Sequence, residues 1–335
     1  MSPADDADRG SGRAILARAP AGPATATLSV MNPRNTTVAV LIAALLVSAC
    51  GPTTEMSASP TRSPGTSSSP AAGVFPLIIS REISTGPNRI LFSFVDGSGA
   101  PIGAPDRTVA VHFTGPSGES VEASDGAFVW AIENVSGVYV TRADFPTAGA
   151  WAAEFSTAAP GSPEQKIPFS FDVQADATVV GPGEKAPSVD TPTLADVDGD
   201  VAKISTDASP VPAFYETSVA DALTAHEPFV LAFATPKFCQ TATCGPTLEK
   251  VKTVAKAHPD VTFINVEPYQ LQLVDGQLQP VLSAQGQLQT VPATNAFGLL
   301  TEPYIFVVGG DGTVKASFEL IFTPAEIDEA LAGLS

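Results

Sequence analysis

Two cysteines lie at the predicted junction between a buried strand and a helix, a place where a thiol becomes reactive. Residues 235–246 read TPKFCQTATCGP, so four residues separate Cys239 from Cys244. The first turn of a helix offers unpaired N–H groups and the positive end of the helix dipole, and both stabilise a thiolate. The thiolate is the nucleophilic form of cysteine. Lys237, two residues before Cys239, can lower the thiol pKa in the same way.

Cysteine pairs of this kind serve in thiol–disulfide exchange, in a structural disulfide or in metal binding. A disulfide here closes a loop of six residues. In the chain-entropy model such a loop gains about 2 kcal/mol, against about 4.7 kcal/mol for a hundred-residue loop. This weak stabilisation favours exchange, with a structural disulfide as the alternative. The candidate further metal ligands, His226 and His258, fall at predicted helix ends, so we predict catalytic Cys239 and Cys244 with no metal and no cofactor.

The periodicity of residues 210–335 predicts the elements that must position the pair. An almost continuous apolar run is typical of a buried central strand, and a helix with one apolar face follows it. A helix capped by Ser218 precedes the run, and a hairpin and a proline-initiated helix end the chain. The predicted order is α-β-α-β-loop-β-β-α, built from Val219–Leu223, Pro228–Phe233, Pro246–Ala257, Val261–Val266, Tyr304–Val308, Thr313–Phe318 and Thr323–Leu334.

Residues 210–335 resemble the thioredoxin family. Phe233…Phe238-Cys239 is similar to the F-x-A-x-W-C motif of that family, and Cys244-Gly245-Pro246 to its C-G-P motif. Thr301-Glu302-Pro303 resembles its cis-proline turn before the hairpin. The resemblance implies an α/β thioredoxin-like fold and thiol–disulfide exchange with protein thiols and disulfides. The residues expected to support the site are Lys237, Phe238, Gly245, Pro246, Glu302 and Pro303.

The sequence departs from the family pattern in three ways. The family spacing is C-x-x-C, whereas four residues separate the cysteines here. The buried acid that many members carry in the central strand falls near Ala232, so an assisting carboxylate is expected to be absent. Glu302 places negative charge near the pair and opposes thiolate formation. We predict Cys239 as the nucleophile and Cys244 as the resolving cysteine.

Residues 74–175 predict a separate all-β domain. Six or seven short runs rich in β-branched and aromatic residues alternate with Gly/Pro/Asp/Ser turn clusters, which is typical of a β-sandwich. The hairpin between Tyr139 and Trp151 resembles the Y-x-F-P-x-A-G-x-W hairpin of bacterial immunoglobulin-like domains. Residues 176–209 contain several acidic residues and prolines, and this composition predicts a linker. The predicted fold is therefore multidomain, an all-β immunoglobulin-like sandwich followed by an α/β thioredoxin-like fold over residues 210–335.

The first fifty residues predict an export signal. The apolar run Val38–Val47 has ten residues, too few to span a membrane but enough for the core of a signal peptide. It ends in VSACG, which resembles the lipobox of bacterial lipoproteins and implies lipidation of Cys50. We predict a signal peptide over residues 1–49, with residues 1–30 a misplaced start before Met31. Residues 50–73, nearly free of large apolar side chains, predict a disordered tether.

The net charge of the chain excludes one class of binding partner. The chain carries 17 basic and 35 acidic side chains, a formal charge of −18, which argues against nucleic acid as a partner. Two functions remain. The first is an extracytoplasmic, membrane-anchored thiol–disulfide oxidoreductase. The second is a non-enzymatic binding or adaptor lipoprotein whose cysteine pair is a structural disulfide.

Overall fold

The computed structural model describes residues 73–334. The predicted signal peptide, Cys50 and residues 51–72 lie outside the described residues. Within the described part, each helix is too short or too polar to cross a lipid bilayer.

The first half of the described chain is a β-sandwich. Its two four-stranded sheets have the orders β1-β2-β6-β5 and β4-β3-β7-β8, and all pairings are antiparallel. The sandwich predicted for residues 74–175 is therefore present. The strands are β1 Phe75–Ile78, β2 Gly86–Val95, β3 Thr108–Thr114, β4 Ser120–Val121, β5 Ala127–Ile132, β6 Ser136–Phe145, β7 Gly149–Ala158 and β8 Gln165–Val173.

Alternating aromatic side chains fill the space between the two sheets. In β7, Trp151, Ala153 and Phe155 are buried while the residues between them are exposed, as expected of a strand with one face on the core. Phe155 packs at 5.0 Å, between ring centroids, against Phe92 of the opposite sheet. Tyr139 stacks on Phe92 at 5.6 Å. The Phe92–Phe155 contact joins the two sheets, whereas Tyr139 and Phe92 stack within one sheet.

The second half is a small mixed sheet covered by helices on both faces. The sheet order is β10-β9-β13-β14; β10 runs parallel to β9, and the other pairings are antiparallel. Three 3-10 turns precede it, at Leu194–Val197, Val201–Lys203 and Pro212–Tyr215. The elements are α1 Val219–Ala225, β9 Phe229–Phe233, α2 Cys244–Ala257, β10 Thr262–Val266, β11 Leu271–Val274, β12 Gln277–Pro280, α3 Pro292–Ala296, β13 Tyr304–Val308, β14 Val314–Glu319 and α4 Pro324–Ala332.

Strand β9 lies in the middle of this half, and all five of its residues are buried. Val230 and Ala232 face the cluster formed with α2 and α4. Phe229, Leu231 and Phe233 face the cluster formed with α1 and α3. A strand covered on both faces needs apolar side chains at every position, which explains the uninterrupted apolar run.

Three details differ from the sequence-based expectation. Helix α2 begins at Cys244, two residues before the predicted start at Pro246. Residues 270–289, predicted as a loop, contain the hairpin β11–β12, and the short helix α3 follows it. The predicted linker, residues 176–209, buries Val179 and Ala186 in the same cluster as β9.

The described residues form part of one compact unit, Thr66–Ser335, and a shared apolar cluster joins its two halves. Leu320 and Ile321, directly after β14, pack against Leu91, Val129 and Val138 of the sandwich. The sandwich therefore rests directly on the half of the chain that carries the cysteines.

Polar contacts cross the same boundary. Glu326 of α4 accepts hydrogen bonds from Arg89 at 2.8 Å and from Arg142 at 2.7 Å. Lys250 of α2 donates to the carbonyl oxygens of Trp130, at 2.7 Å, and Phe322, at 3.0 Å.

Candidate functional site

The two cysteines meet at the end of the central strand. Strand β9 ends at Phe233, a loop follows, and Cys244 is the first residue of α2. Cys244 is fully buried, at 0% exposure, whereas Cys239 is partly exposed, and both are free thiols. The two sulfur atoms and a carboxylate oxygen of Glu302 lie within 4.8 Å of one another. The structure thus brings together the two predicted catalytic residues and one predicted supporting residue.

The surroundings of the two thiols polarise the pair. The Cys244 N–H donates to Cys239 Sγ at 3.2 Å, and the Thr241 hydroxyl lies 3.3 Å from the same sulfur. The hydrogen bond from the Cys244 side chain, helped by Thr241 and opposed by burial, lowers the pKa of Cys239 to about 5. The same interaction and burial raise the pKa of Cys244. At neutral pH the partly exposed sulfur is a thiolate and the buried sulfur keeps its proton, which favours Cys239 as the nucleophile.

The turn before β13 holds the cysteine loop in place. The Glu302–Pro303 peptide bond is cis, and both residues are buried. Glu302 Oε1 accepts a hydrogen bond from the Gln240 N–H at 2.8 Å, and Oε2 accepts one from the Tyr269 hydroxyl at 2.7 Å. Gln240 also donates to the Tyr269 oxygen at 2.9 Å. Because Gln240 directly follows Cys239, these bonds fix the loop next to the exposed sulfur.

Glu302 was expected to oppose thiolate formation at both cysteines, but it does so at only one of them. Its negative charge contributes to the raised pKa of Cys244. The pKa of Cys239 is low nevertheless, because its hydrogen bonds outweigh the cost of burial. Glu302 therefore sharpens the difference between the two cysteines instead of suppressing the thiolate altogether.

Lys237 does not take the role predicted for it. Its Nζ donates to the carbonyl oxygen of Leu278 in β12 at 3.3 Å and lies 5.4 Å from the centroid of the Phe238 ring. The low pKa of Cys239 comes from Cys244 and Thr241 instead. Lys237 thus ties the cysteine loop to the β11–β12 hairpin.

Gly245 and Pro246 form the first turn of α2 with Cys244. The N–H groups of that turn have no partner within the helix, so a proline there costs no helical hydrogen bond. Space is open where a Cβ of Gly245 would lie. Phe238 is partly buried beside the loop. These residues shape the junction, whereas the contacts to sulfur come from Thr241 and the Cys244 backbone.

A buried carboxyl that the sequence reasoning missed lies near the pair. Glu267, directly after β10 and only 7% exposed, accepts hydrogen bonds from the Thr206 N–H and hydroxyl at 2.6 and 2.7 Å. Burial, opposed by hydrogen bonds from Thr235 and Thr206, raises its pKa to about 7. Thr235 links this carboxyl to the site, since its backbone also lowers the pKa of Cys244. The sequence reasoning considered only the central strand, where Ala232 lies, and did not consider an acid at the end of the neighbouring strand.

A signal for Glu267 was present in the sequence. Parallel neighbouring strands end at the same edge of a sheet. An acid directly after the second buried strand therefore falls close to the residues that follow the first one. Tyr269 follows from the same reasoning, because it lies two residues further along the chain.

The histidines considered as metal ligands lie elsewhere. His258 Nε2 lies 2.8 Å from Asp328 Oδ1 on α4, and His226 ends α1 in a left-handed conformation. Over residues 73–334, the group of potential metal-ligand atoms at the cysteines is completed by Glu302 and contains no histidine.

No family model and no curated protein matches the chain. Several solved structures are similar to parts of it, among them the following three. A DUF4426 family protein from Pseudomonas aeruginosa PAO1 is 15% identical, and the match covers 31% of this chain and 91% of that one, with a TM-score of 0.24. The Lin-41 filamin domain is 16% identical, with coverages of 30% and 93% and a TM-score of 0.21. The Escherichia coli adhesin FdeC is 14% identical, with coverages of 36% and 36% and a TM-score of 0.22. TM-scores of this size do not establish a shared fold, so the description of the sandwich rests on its own strand pairing.

Proposed function

We propose that this protein is an extracytoplasmic thiol–disulfide oxidoreductase, anchored to the membrane by a lipid on Cys50. Its folded part would join an immunoglobulin-like sandwich to a thioredoxin-like domain. The observation that carries the proposal is the polarised pair, a partly exposed Cys239 with a pKa of about 5 beside a buried Cys244 with a raised pKa.

The topology of the second half supports this assignment. A parallel pair, β9 and β10, is extended by an antiparallel hairpin to give the order β10-β9-β13-β14. Helices cover both faces, and the cysteines occupy the junction between β9 and α2. The thioredoxin resemblance implies this arrangement, although four residues in place of two separate the cysteines.

The geometry suits exchange through a mixed disulfide. In the reducing direction, the Cys239 thiolate attacks one sulfur of a substrate disulfide, forms a mixed disulfide and releases the other substrate sulfur as a thiolate. Cys244 then gives its proton to the released substrate thiolate and attacks Cys239 Sγ, which lies within 4.8 Å of its own sulfur. The second substrate thiolate leaves, and two electrons have passed from the cysteine pair to the substrate. The reverse sequence oxidises a substrate dithiol.

A redox titration tests the proposal. The full chain carrying Cys50→Ser, which removes the third thiol, is equilibrated with glutathione buffers and its free thiols are counted. An exchange-active pair is expected between about −120 and −270 mV, whereas a structural bridge stays oxidised below about −300 mV. The second result would favour an adaptor whose pair is a structural disulfide.

Trapping supplies an independent readout of the same proposal. With Cys244→Ser in the same background, Cys239 is expected to hold substrate proteins in mixed disulfides, because the resolving thiol is gone. The matched control, Cys239→Ser, keeps only the buried sulfur and is expected to trap none. Equal trapping by both variants would contradict the assigned roles.

The membrane anchor is a separate part of the proposal and rests on the sequence around Cys50. Cys50→Ala is expected to move the protein from the membrane fraction to the soluble fraction and to abolish labelling with a radioactive fatty acid. Retention in the membrane fraction without lipid labelling would contradict lipid anchoring and leave the thiol chemistry untouched.

A further inference from the structure

The cysteines and Glu302 provide three potential metal-ligand atoms that lie close together. Both sulfur atoms and a Glu302 carboxylate oxygen lie within 4.8 Å of one another. Zn²⁺ binds thiolate sulfur at about 2.3 Å and carboxylate oxygen at about 2.0–2.2 Å, which places the ligand atoms of a tetrahedral centre about 3.5 Å apart. The three ligand atoms need to move only modestly closer together to reach this spacing.

We propose that the reduced protein binds one Zn²⁺ ion through Cys239, Cys244 and Glu302. Cys244 and Glu302 are buried, at 0% and 5% exposure, and Cys239 is partly exposed. Three protein ligands leave the fourth position of a tetrahedral ion open. Zinc sites with three protein ligands keep this position for water or a substrate.

The charge of the site favours a cation. The three groups are all acidic, and the nearby Lys237 directs its ammonium to the Leu278 carbonyl. Among the ion pairs of residues 73–334, none includes Glu302. Three negatively charged ligand groups this close together repel one another unless a cation lies between them. A divalent ion supplies the compensating charge.

Hydrogen bonds hold the Glu302 carboxylate in place and leave it capacity to bind a metal ion. Each Glu302 oxygen accepts one hydrogen bond, from the Gln240 N–H or from the Tyr269 hydroxyl. A carboxylate oxygen has two lone pairs, so one remains on each oxygen. Hydrogen bonds of this outer kind fix the direction of metal-binding carboxylates.

The donor set selects zinc among common ions. Sulfur ligands disfavour Mg²⁺ and Ca²⁺, which take oxygen, and a carboxylate is a poor partner for the softer Cu⁺. Zn²⁺ accepts both donor types. Because a Cys239–Cys244 disulfide would consume both thiolates, the metal-bound and oxidised states exclude each other. This inference needs only the reduced thiols and does not require exchange with a substrate.

Calorimetric titration with Zn²⁺ tests the site directly. The full chain with Cys50→Ser is reduced, freed of metal and titrated without oxygen in two buffers of different ionisation enthalpy. One Zn²⁺ per chain is expected, with release of protons from the coordinating thiols that appears as a difference in heat between the two buffers. Co²⁺ in place of Zn²⁺ is expected to give thiolate charge-transfer absorption and the intense visible bands of a four-coordinate ion.

Substitutions at Glu302 and Tyr269 test which side chains bind the metal ion. Glu302→Gln is expected to weaken Zn²⁺ binding by about 100-fold or more, because even outer hydrogen-bond partners of metal ligands are worth about 10- to 100-fold. Tyr269→Phe, which removes one such partner, is expected to weaken it by about tenfold. Glu329→Gln removes the same charge from the exposed face of α4 and is expected to leave affinity unchanged. If Glu302→Gln fails to fold, as circular dichroism would reveal, Tyr269→Phe and the Co²⁺ spectrum still decide the assignment.

Several outcomes overturn the site. Binding of less than one ion per chain, equal affinity in the disulfide-oxidised chain, or unchanged affinity in both the Glu302 and Tyr269 variants would each show adventitious metal binding only. Zinc binding and thiol–disulfide exchange can fail independently of each other. A chain that binds Zn²⁺ but traps no mixed disulfide loses the proposed oxidoreductase function and keeps the metal site, and the opposite result reverses this outcome.

Discussion

Cys239 and Cys244 occupy two different electrostatic environments although four residues separate them. One sulfur receives a backbone N–H and lies beside a hydroxyl. The other is enclosed between β9 and α2 and faces the negative charge of its partner and of Glu302. The chemistry of the pair therefore depends on a few individual contacts, each of which substitution can remove.

The first prediction concerns the thiolate. In the Cys50→Ser background, alkylation of Cys239 is expected to rise with a midpoint near pH 5, the value to which Cys244 and Thr241 lower its pKa. Cys244→Ala removes the main contribution to this shift and is expected to move the midpoint to higher pH. The measurement is the alkylation rate against pH, followed by mass spectrometry. A wild-type midpoint near the free-cysteine value of about 8.5 would refute the polarised pair.

The second prediction concerns Glu267. Its folded-state pKa of about 7 lies above the ordinary glutamate value of 4.5. Its contribution to stability is therefore complete below pH 4.5 and is lost as pH rises through 7. Glu267→Gln does not titrate. Between pH 5 and pH 8.5 the wild type is expected to lose about 2–3 kcal/mol of unfolding free energy relative to this variant.

Urea unfolding at the two pH values measures the difference, with Glu216→Gln, an exposed substitution, as the matched control. Cys239 titrates over the same range, but it does so in both proteins and cancels in the comparison. Parallel pH profiles of wild type and Glu267→Gln would contradict the raised pKa.

Individual residues were predictable where local sequence determines their position. The cysteines could be placed because an apolar strand and an amphipathic helix flank them. The direction of the Lys237 side chain could not, because its partner, the Leu278 carbonyl, belongs to a hairpin forty-one residues away in the chain. Contacts of this kind depend on tertiary packing, which residue spacing does not encode.

At the scale of elements, the loop between β9 and α2 holds one residue in an unfavourable conformation. Ala242 has φ of +59°, in the left-handed region that costs a residue with a Cβ about 1–2 kcal/mol. Ala242→Gly is therefore expected to stabilise the protein by up to about 1 kcal/mol, after the entropy cost of glycine.

The melting temperature measures this third prediction. Ala208 is also exposed but has an ordinary backbone conformation, so Ala208→Gly serves as control and is expected to be neutral or destabilising. An equal effect of both substitutions would mean that the left-handed turn carries no cost.

The β11–β12 hairpin could have been predicted from the sequence of residues 271–280. Its connection is Asp275-Gly276, with φ of 51° and 76°, and Asp-Gly is a strong signal for a tight hairpin turn. The flanking runs LQLV and QLQP alternate apolar and polar residues. This period-two pattern is sufficient to predict both strands, although the segment is rich in glutamine.

At the scale of the whole molecule, Glu326 of α4 holds the two halves together. Its carboxylate pairs with Arg89, whose side chain is only 11% exposed, and with Arg142. Although burial opposes ionisation, these arginines lower the pKa of Glu326. Glu326→Gln is expected to cost about 2–3 kcal/mol, somewhat less than the loss of one partner from a fully buried pair.

The pH dependence provides a further check on this fourth prediction. The contribution of a carboxyl with a lowered pKa is present above pH 4.5 and is lost as pH falls through its folded-state value. The gap between wild type and Glu326→Gln should therefore narrow in acid. Glu329→Gln, on the exposed face of the same helix, is the control, and an equal loss of stability there would argue against the pairing.

The β-sandwich could be predicted from strand periodicity and turn composition, because each sheet has one face on a core. The contact between the halves could not be predicted in this way. Arg89 and Glu326 are 237 positions apart in the chain, and charged residues at such separations give no sign of pairing in a single sequence.

Leu320 and Ile321 make the two halves interdependent. Both are buried, and the apolar cluster that contains them is otherwise made of sandwich residues. A chain cut at residue 175 would expose this apolar pair to water and leave Glu326 without either guanidinium group. The thiol-bearing half is thus poorly suited to transplantation as an isolated module, since the uncovered surface would promote aggregation.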